Sequence, residues 1–520
     1  MHRTARPALV LLAALALLTA CTGADPAPAP TPSATIAPGP TAEDVVLTRT
    51  IPGGGTDIDV AIHPVVRVGD HAVLTLDLTS AAAVEPEGLY TGYLFEVDSF
   101  VGGYDPMAIR LFDLAADEVY EVATDADQRP VATPGDASTL PAGGTRLQIA
   151  YAAPPADVDH LGLYLPGTGF IDAIPVIDDD VPVPTAGPSP VADAEVLDLS
   201  TVVQARTLPL QSFSRELGGA VSTDASTQKV EITLGSDVLF AIDSADLTPD
   251  AEAAIAVAAQ QLAERDPGTV DVVGHTDDVD DDAHNEDLSE RRAAAVVGAL
   301  AARIDTASYP LQPSGRGETE PLLPNTTDEN RALNRRVTLT LTSEVTASAT
   351  VETTGELPPF DDGPVATGVE GVTVDASRPY RVTAPEARVV DGHLVVDVAV
   401  TALDDAIDPS FGPSFLSAVF SYRGSETLTP DHTTAGVVVV VGGTALYPLD
   451  YQIKESPSFS GGVWWPATEL ATLTRLDGGQ TRVMSNIYPR LVPTDTVTVQ
   501  VTGTGGSQAF RLTDIPVVEG

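Results

Sequence analysis

The chain has 520 residues and a formal net charge of −47, with 43% hydrophobic and 19% charged residues. This length exceeds what one hydrophobic core organises, so three or four domains are expected, and the composition excludes a wholly disordered polymer. The acidic balance excludes a nucleic-acid partner, which would require clustered Lys and Arg. The single cysteine excludes an intrachain disulfide and a cysteine metal cluster.

Residues 1–20 have the composition of an export signal. Arg3 and Arg6 precede the apolar run 8–18, and small residues lead into Cys21. The apolar run is too short to span a bilayer, so this segment indicates a cleaved signal peptide rather than a membrane helix.

The end of this signal, Leu-Thr-Ala-Cys at residues 18–21, resembles the lipobox of bacterial lipoproteins. The resemblance implies that Cys21 is lipidated and becomes the first residue of an exported, membrane-anchored protein. Several acyl chains make such an anchor stable. The alternative is an ordinary cleaved signal followed by a chance cysteine. Both the outer membrane and the outer face of the cytoplasmic membrane are compatible with this anchor.

Pro-rich segments divide the rest of the chain. Residues 21–42 are rich in Pro and Ala and predict an extended spacer. Two further breaks, at 179–192 and 344–368, predict linkers. They leave a first region (43–178), a middle region (193–343) and a last region (369–520).

The first and last regions resemble each other. Residues 67–79 and 388–401 both have the pattern of a strand, a tight turn and a second strand. Both regions also end on Ile-Pro-Val, within 174–178 and 515–519. Short alternating strands between Gly, Pro and Asp turns favour antiparallel β-sandwiches. We therefore predict two duplicated β-sandwich domains that flank the middle region.

The middle region alternates strands with helices, which predicts a βαβαβ-type mixed sheet covered by helices and gives the chain an α+β fold class. A capping Thr248 followed by Pro249 begins one helix. The other predicted elements are strands at 230–234, 270–273, 311–315 and 337–341 and helices at 285–304 and 328–333.

Four sequence blocks in the middle region occur in a fixed order. They are Val-Leu-Phe at 238–240 with Asp243–Leu247, Gly-His-Thr-Asp at 274–277 with Asn285–Ala293, Gly-Arg-Gly-Glu at 315–318, and Asn-Arg-Arg-Val at 334–337. Together they resemble the OmpA-like peptidoglycan-binding family. The resemblance implies binding of a peptidoglycan stem peptide whose diamino acid ends in a zwitterion.

The residue chemistry fits that ligand, because a zwitterion requires a carboxylate for its ammonium group and a guanidinium for its carboxylate. By similarity to the family, Asp277 and Arg292 are these charge partners. Asp277 ends a strand beside a crevice, and Arg292 lies inside the following helix. The comparison also assigns supporting contacts to Asp243, Thr276, Asn285 and Arg335. Arg336 is expected to hold the sheet and helices together.

This chain departs from the family at two positions that are often glycine, Asp280 and Asn330. The first creates an acidic run at 277–282, which is expected to weaken binding of a negatively charged ligand. Asp278, Asp280 and Asp282 also have the spacing of a calcium loop. The following Gly and bidentate Glu of such a loop are missing, however, so we predict no metal and no cofactor.

The sequence thus predicts a non-enzymatic envelope protein that tethers a membrane to the cell wall. It contains no nucleophile elbow and no zinc signature. A second interpretation is an adhesin or assembly protein whose β-sandwiches bind an envelope partner, with wall binding serving only localisation.

Overall fold

The computed structural model of the chain describes residues 39–53, 56–81, 89–90, 108–133, 139–141, 143–182, 197–218, 221–226, 229–263, 265–342, 351, 353, 355–407, 413–417, 433–456, 459–470, 476–502 and 508–520. The predicted signal peptide and Cys21 lie outside these residues. Among the described helices, none combines the length and the hydropathy needed to cross a bilayer.

The first region consists of strands arranged around a shared apolar core. Its strands are β1 (Leu47–Gly53), β2 (Thr56–Ile62), β3 (Val65–Val68), β4 (His71–Thr79), β5 (Leu89–Tyr90), β6 (Arg110–Asp113), β7 (Glu118–Tyr120), β8 (Ala132–Thr133), β9 (Thr139–Leu140), β10 (Thr145–Ala152), β11 (His160–Leu165) and β12 (Gly169–Asp178). β4 pairs with β2, β3 and β10, whereas β11 pairs with β6 and β12. Alternate residues Leu74, Leu76 and Leu78 of β4 enter the core, as the period of a strand requires.

The middle region has the predicted alternation of strands and helices. Its elements are β13 (Thr207–Pro209), β14 (Gln211–Glu216), β15 (Val221–Ser226), β16 (Lys229–Gly235), α1 (Ser236–Leu239), α2 (Ala251–Ala263), β17 (Val270–His275), α3 (Asp282–Leu300), β18 (Leu311–Gly315), α4 (Asp328–Asn334) and β19 (Arg336–Thr342). The sheet order is β14-β15-β16-β19-β17-β18, in which β17 and β18 are parallel and the other neighbours antiparallel. The predicted α+β class is therefore confirmed.

Local capping sets where the two long helices begin. The Thr248 hydroxyl accepts a hydrogen bond from the amide of Ala251 at the start of α2 (3.2 Å). α3 begins at Asp282, earlier than the predicted 285, because the Asp281 carboxylate caps the amide of His284 (2.9 Å). Both helices place apolar residues, among them Ile255 and Val296, in the core above the sheet.

The last region is again built from strands. They are β20 (Val365–Thr367), β21 (Val372–Asp375), β22 (Pro379–Thr383), β23 (Ala387–Val390), β24 (His393–Ala402), β25 (Val438–Val441), β26 (Thr444–Leu446), β27 (Asp450–Ser456), β28 (Phe459–Pro466), β29 (Thr481–Arg490), β30 (Thr496–Val501) and β31 (Phe510–Glu519). Alternate residues of β24, such as Val396, Val398 and Val400, enter its core.

The first and last regions share their pattern of strand pairing. β3 and β4 form a hairpin, and the end of β12 runs parallel to β3 with Val176 opposite Val65. In the last region β23 and β24 form the hairpin, and the end of β31 runs parallel to β23 with Val517 opposite Ala387. The two Ile-Pro-Val segments therefore occupy the same position in their regions. β4–β10 corresponds to β24–β29, and β6–β11–β12 corresponds to β25–β30–β31.

The middle region shares strands with both neighbours. β13, which the sequence assigned to the middle region, pairs with β7 of the first region. β14 pairs with β26 of the last region, with Ser214 opposite Leu446. β20, from the segment predicted as a linker, runs parallel to β31. Backbone hydrogen bonds thus connect the middle region to both outer regions.

The first and last regions also pack directly against each other. Phe112 and Tyr164 of the first region lie in one buried cluster with Tyr451, Trp465 and Ile487 of the last. Within the part of the chain described, these two regions therefore belong to one folded body.

Arg110 lies at the centre of this contact between the outer regions and is only 1% exposed. Its Nη1 donates to the Tyr451 hydroxyl (3.2 Å) and to the Pro466 carbonyl (2.9 Å), and its Nη2 donates to the Thr468 carbonyl. All three acceptors belong to the last region. A second polar contact joins Arg388 to Asp172 (2.9 Å).

We predict that Arg110→Ala lowers the free energy of unfolding by about 3 kcal/mol, because it leaves buried acceptors without a donor. Urea unfolding of the full chain measures this loss. Arg129→Ala is the matched control: that side chain is 75% exposed, so a change below about 0.5 kcal/mol is expected. Equal stability of wild type and Arg110→Ala would contradict the contact between the outer regions.

Candidate functional site

A crevice of about 600 Å³ opens in the middle region, where β17 ends and α3 begins. Its walls come from α1 and the loop after it, the loop after β17, α3, and the residue that follows α4. The lining residues are Asp237, Phe240, Ala241, Ile242, Asp243, Thr276, Asp277, Val279, Asp280, Asn285, Leu288, Arg292 and Arg335. All six candidate ligand residues from the sequence are among them, so the fold brings together side chains from three separate sequence blocks.

Asp277 belongs to an ion-pair network at the crevice. Its Oδ2 accepts a hydrogen bond from Nη1 of Arg335 (2.6 Å). Arg335 also donates from Nε and Nη2 to both carboxylate oxygens of Asp237, at 2.8 and 2.6 Å. The hydrogen bonds to Asp237, followed by those to Asp277, hold the pKa of Arg335 above its ordinary value. The guanidinium of Arg335 is thus engaged by two carboxylates and orients Asp277.

Arg292 has a different environment. It is 4% exposed, its Nε donates to the Ser244 carbonyl (2.9 Å), and its guanidinium lies 5.2 Å from the ring centroid of Phe240. Burial lowers the pKa of Arg292, and the negative charge of Asp237 opposes that shift. Among the described residues, no protein group accepts a hydrogen bond from its terminal Nη1 and Nη2. Since buried donors require acceptors, this guanidinium retains capacity for an anionic ligand.

Asn285 holds the loop that carries Asp277. Its Nδ2 donates to the carbonyls of Asp277 (3.3 Å) and Val279 (2.8 Å) and to Glu318 (2.6 Å). Its amide donors are therefore committed to the protein. Thr276 is 3% exposed, and its hydroxyl is buried without a described protein partner.

Two aspartates in the crevice loops have left-handed backbone conformations, Asp243 with φ of 53° and Asp280 with φ of 76°. The Oδ1 atom of Asp243 also lies within hydrogen-bond distance of Nε2 of His284 (2.8 Å). At Asp280 the positive φ explains why the family often has glycine there. Asn330, the other departure, instead lies inside α4, where its amide donates to the Thr327 hydroxyl (3.1 Å).

Sequence reasoning missed three groups at this site: Asp237, which orients Arg335; Phe240, which packs under Arg292; and the carbonyl of Ser244. Asp237 directly precedes the Val-Leu-Phe block and Phe240 is its last residue, so this block was the sequence signal that could have identified both. Arg336 donates to the carbonyls of Asn334 and Glu320 and is not among the lining residues. Within the described chain, no group of three or more His, Cys, Asp or Glu side chains is placed to hold a metal ion.

A mixed sheet with covering helices and a charged crevice defines an α+β domain. Residues 239–335 match the OmpA family. The chain therefore contains an OmpA family domain, and the crevice lies within and directly beside the matched segment.

Two curated relatives are outer membrane protein A of Escherichia fergusonii and of Escherichia coli O157:H7. Each is 42% identical over 103 residues, which is 19% of this chain and 42% or 30% of the relative. The chain therefore spans less than half the length of these relatives.

Similar solved structures include the cell wall anchor of the T6SS from Pseudomonas aeruginosa, at 30% identity over 24% of this chain and 90% of that chain, with a TM-score of 0.22. Another is the peptidoglycan-associated lipoprotein from Burkholderia pseudomallei, at 24% identity over 22% and 87%, with a TM-score of 0.18.

Asp280→Gly is expected to raise the free energy of unfolding by about 0.5–1 kcal/mol, since glycine adopts positive φ without steric cost. Thermal or urea unfolding measures the change. Asp278→Gly is the control, because it removes the same charge two positions away at a residue that does not have positive φ. A stabilisation by both variants would attribute the effect to charge rather than to backbone conformation.

His275, at the end of β17, generates a pH dependence of stability. Burial, together with the charges of Arg336 and Arg316, lowers its pKa from 6.5 to about 3. The unfolded chain therefore binds the proton first, so stability falls as pH drops below about 6.5, by about 2 kcal/mol between pH 7.5 and 5. His275→Gln should remove that part of the loss in urea unfolding at the two pH values. Parallel losses in variant and wild type would show that His275 is protonated equally in both states.

Proposed function

We propose that this protein is an exported, lipid-anchored envelope protein that binds peptidoglycan noncovalently through the crevice of its OmpA family domain. The observation that carries the proposal is the convergence of all six candidate residues on one crevice around a buried guanidinium whose terminal nitrogens have no described protein acceptor.

The charges of the crevice match a diamino-acid zwitterion. Arg292 presents two terminal nitrogens, which suit a bidentate carboxylate. Asp277 has one oxygen bonded by Arg335, and among the described residues its Oδ1 accepts only a long hydrogen bond from the Val279 amide (3.3 Å). That oxygen and the exposed Asp243 carboxylate are the acceptors for the ammonium group. Arg335 and Asn285 position Asp277 rather than bind the ligand.

Membrane attachment rests on the lipobox-like segment at Cys21, and an envelope location agrees with the named relatives, which are outer membrane proteins. The lipid at one end and peptidoglycan in the crevice would tether membrane to wall. Recovery of Cys21→Ser chains in the membrane fraction, as for wild type, would contradict the lipid anchor.

For the outer regions, we propose a duplicated origin as β-sandwiches, supported by their equivalent strand pairs. They contribute a rigid support for the crevice, because β14 extends the sheet of the middle region into the last region.

The test is cosedimentation of the full chain with purified peptidoglycan. The full chain is required, since β13 and β14 pair with the outer regions and an isolated middle region would lose those partners. Arg292→Ala is expected to weaken binding by about tenfold or more, as expected for the loss of a charge-assisted bidentate contact.

Arg291→Ala is the matched control, because the neighbouring arginine is 49% exposed and pairs with Asp287 on the same helix. It should bind as wild type does. Circular dichroism verifies that each variant is folded. Absence of pelleting by folded wild type would refute peptidoglycan binding, and equal pelleting by Arg292→Ala would place the ligand elsewhere.

A further inference from the structure

Two large apolar side chains of the crevice face solvent. Ile242 is 99% exposed, the highest value among the described large apolar residues that are exposed, and Val279 is 53% exposed. Two charged residues of the same crevice are buried, Arg292 at 4% and Asp277 at 7%, whereas Asp243 is exposed. Two exposed apolar side chains beside a buried Arg292–Asp277 charge pair are unusual, because exposed large apolar residues are informative where they line a binding crevice.

The loops that carry Ile242 and Val279 are both fixed by hydrogen bonds to α3. The Val279 carbonyl accepts from Asn285 (2.8 Å). Asp243, which follows Ile242, lies within hydrogen-bond distance of His284 (2.8 Å). The carbonyl of Ser244, the next residue, accepts a hydrogen bond from Arg292. Each apolar residue also precedes an aspartate with positive φ. The two side chains are therefore held in place at the crevice although water surrounds them.

We propose that Ile242 and Val279 form an apolar rim that binds the methylene chain of the diamino acid whose zwitterionic end lies at Arg292 and Asp277. This inference rests on the proposed function and adds the basis of selectivity to it. A diamino acid carries its terminal charges on several methylene groups. When those charges reach the buried guanidinium, the methylene groups must pass the exposed entrance of the crevice.

The apolar rim gives this site a preference that charge alone does not supply. Alanine presents the same ammonium and carboxylate groups without a methylene chain, so it leaves both rim residues in water. A diamino acid would cover apolar surface of both residues, and burial of about 40 Å² per side chain is worth roughly a factor of five in affinity. The rim therefore selects long diamino acids over short amino acids.

The experiment uses the full chain and a soluble stem tripeptide whose third residue is diaminopimelate with a free zwitterionic end. Calorimetry measures its affinity for wild type, Ile242→Ser, Val279→Ser and the double variant. Each single change should weaken binding by about fivefold and the double change by more. Because the lost contact is apolar, the ratio of the two affinities should be the same at low and high salt.

Val369→Ser is the matched control, since Val369 is 67% exposed and lies in the last region, outside the crevice. It should bind the tripeptide as wild type does. The rim substitutions are at exposed positions, so their folding is verified by circular dichroism and expected to be unchanged.

The outcomes separate the rim from the proposed function. If wild type binds the tripeptide, Arg292→Ala does not, and the serine variants bind as wild type does, the rim is wrong and the peptidoglycan site stands. If folded wild type binds neither peptidoglycan nor the tripeptide, both proposals fail. A loss that disappears at high salt would also overturn the rim, because it would identify an electrostatic effect.

Discussion

The buried guanidinium of Arg110 ties the two outer regions into one body. A charge removed from water is tolerated only when its donors meet acceptors, and those of Arg110 come from Tyr451, Pro466 and Thr468 of the last region. The first region, which carries Arg110, therefore depends on the last region for the acceptors of its terminal nitrogens. The middle region, whose sequence lies between them, is therefore held at both ends, with β13 on one neighbour and β14 on the other.

Three buried or partly buried arginines differ in whether protein oxygens accept hydrogen bonds from their terminal nitrogens. The terminal nitrogens of Arg110 are satisfied by protein oxygens, and those of Arg335 by two carboxylates. Arg292 is as buried as a core residue, yet only its Nε has a described protein acceptor. Stacking on Phe240 compensates part of the burial without using the donors at the end of the side chain. The terminal nitrogens of Arg292 therefore retain the capacity to donate to a carboxylate from outside the protein.

The sequence predicted the middle region well because each element there carries its own local signal. The strand 311–315 coincides with β18, and the short helix at 328–333 differs from α4 by one residue. The candidate residues also converged on one crevice. The contacts within the chain do not identify a ligand, so the binding roles of these residues remain predictions.

The contact between the outer regions had no comparable signal. Phe112 and Tyr164 occupy ordinary strand positions, and strand alternation does not distinguish a side chain facing its own core from one facing another region. From the sequence, Arg110 is likewise expected at the surface, because its acceptors lie more than three hundred positions away along the chain. The pairings of β13 and β14 with strands of the outer regions are equally non-local. The division of the sequence at the linker 179–192 therefore did not predict them.

The acidity of the chain constrains how the crevice can work. At a net charge of −47, long-range electrostatics oppose the approach of wall polymers that carry carboxylates, and salt screens that repulsion over about a Debye length. Under the proposed function, affinity would therefore come from short-range contacts inside the crevice, where the terminal nitrogens of Arg292 have no described protein acceptor. Asp243 and Asp280 both have positive φ, which glycine adopts without steric cost, and as aspartates they add two carboxylates to the lining of the crevice. Under the proposed function, carboxylates beside the Arg292 guanidinium would favour a zwitterion over an anion, so the acidity that repels the polymer at a distance would favour its diamino acid at contact.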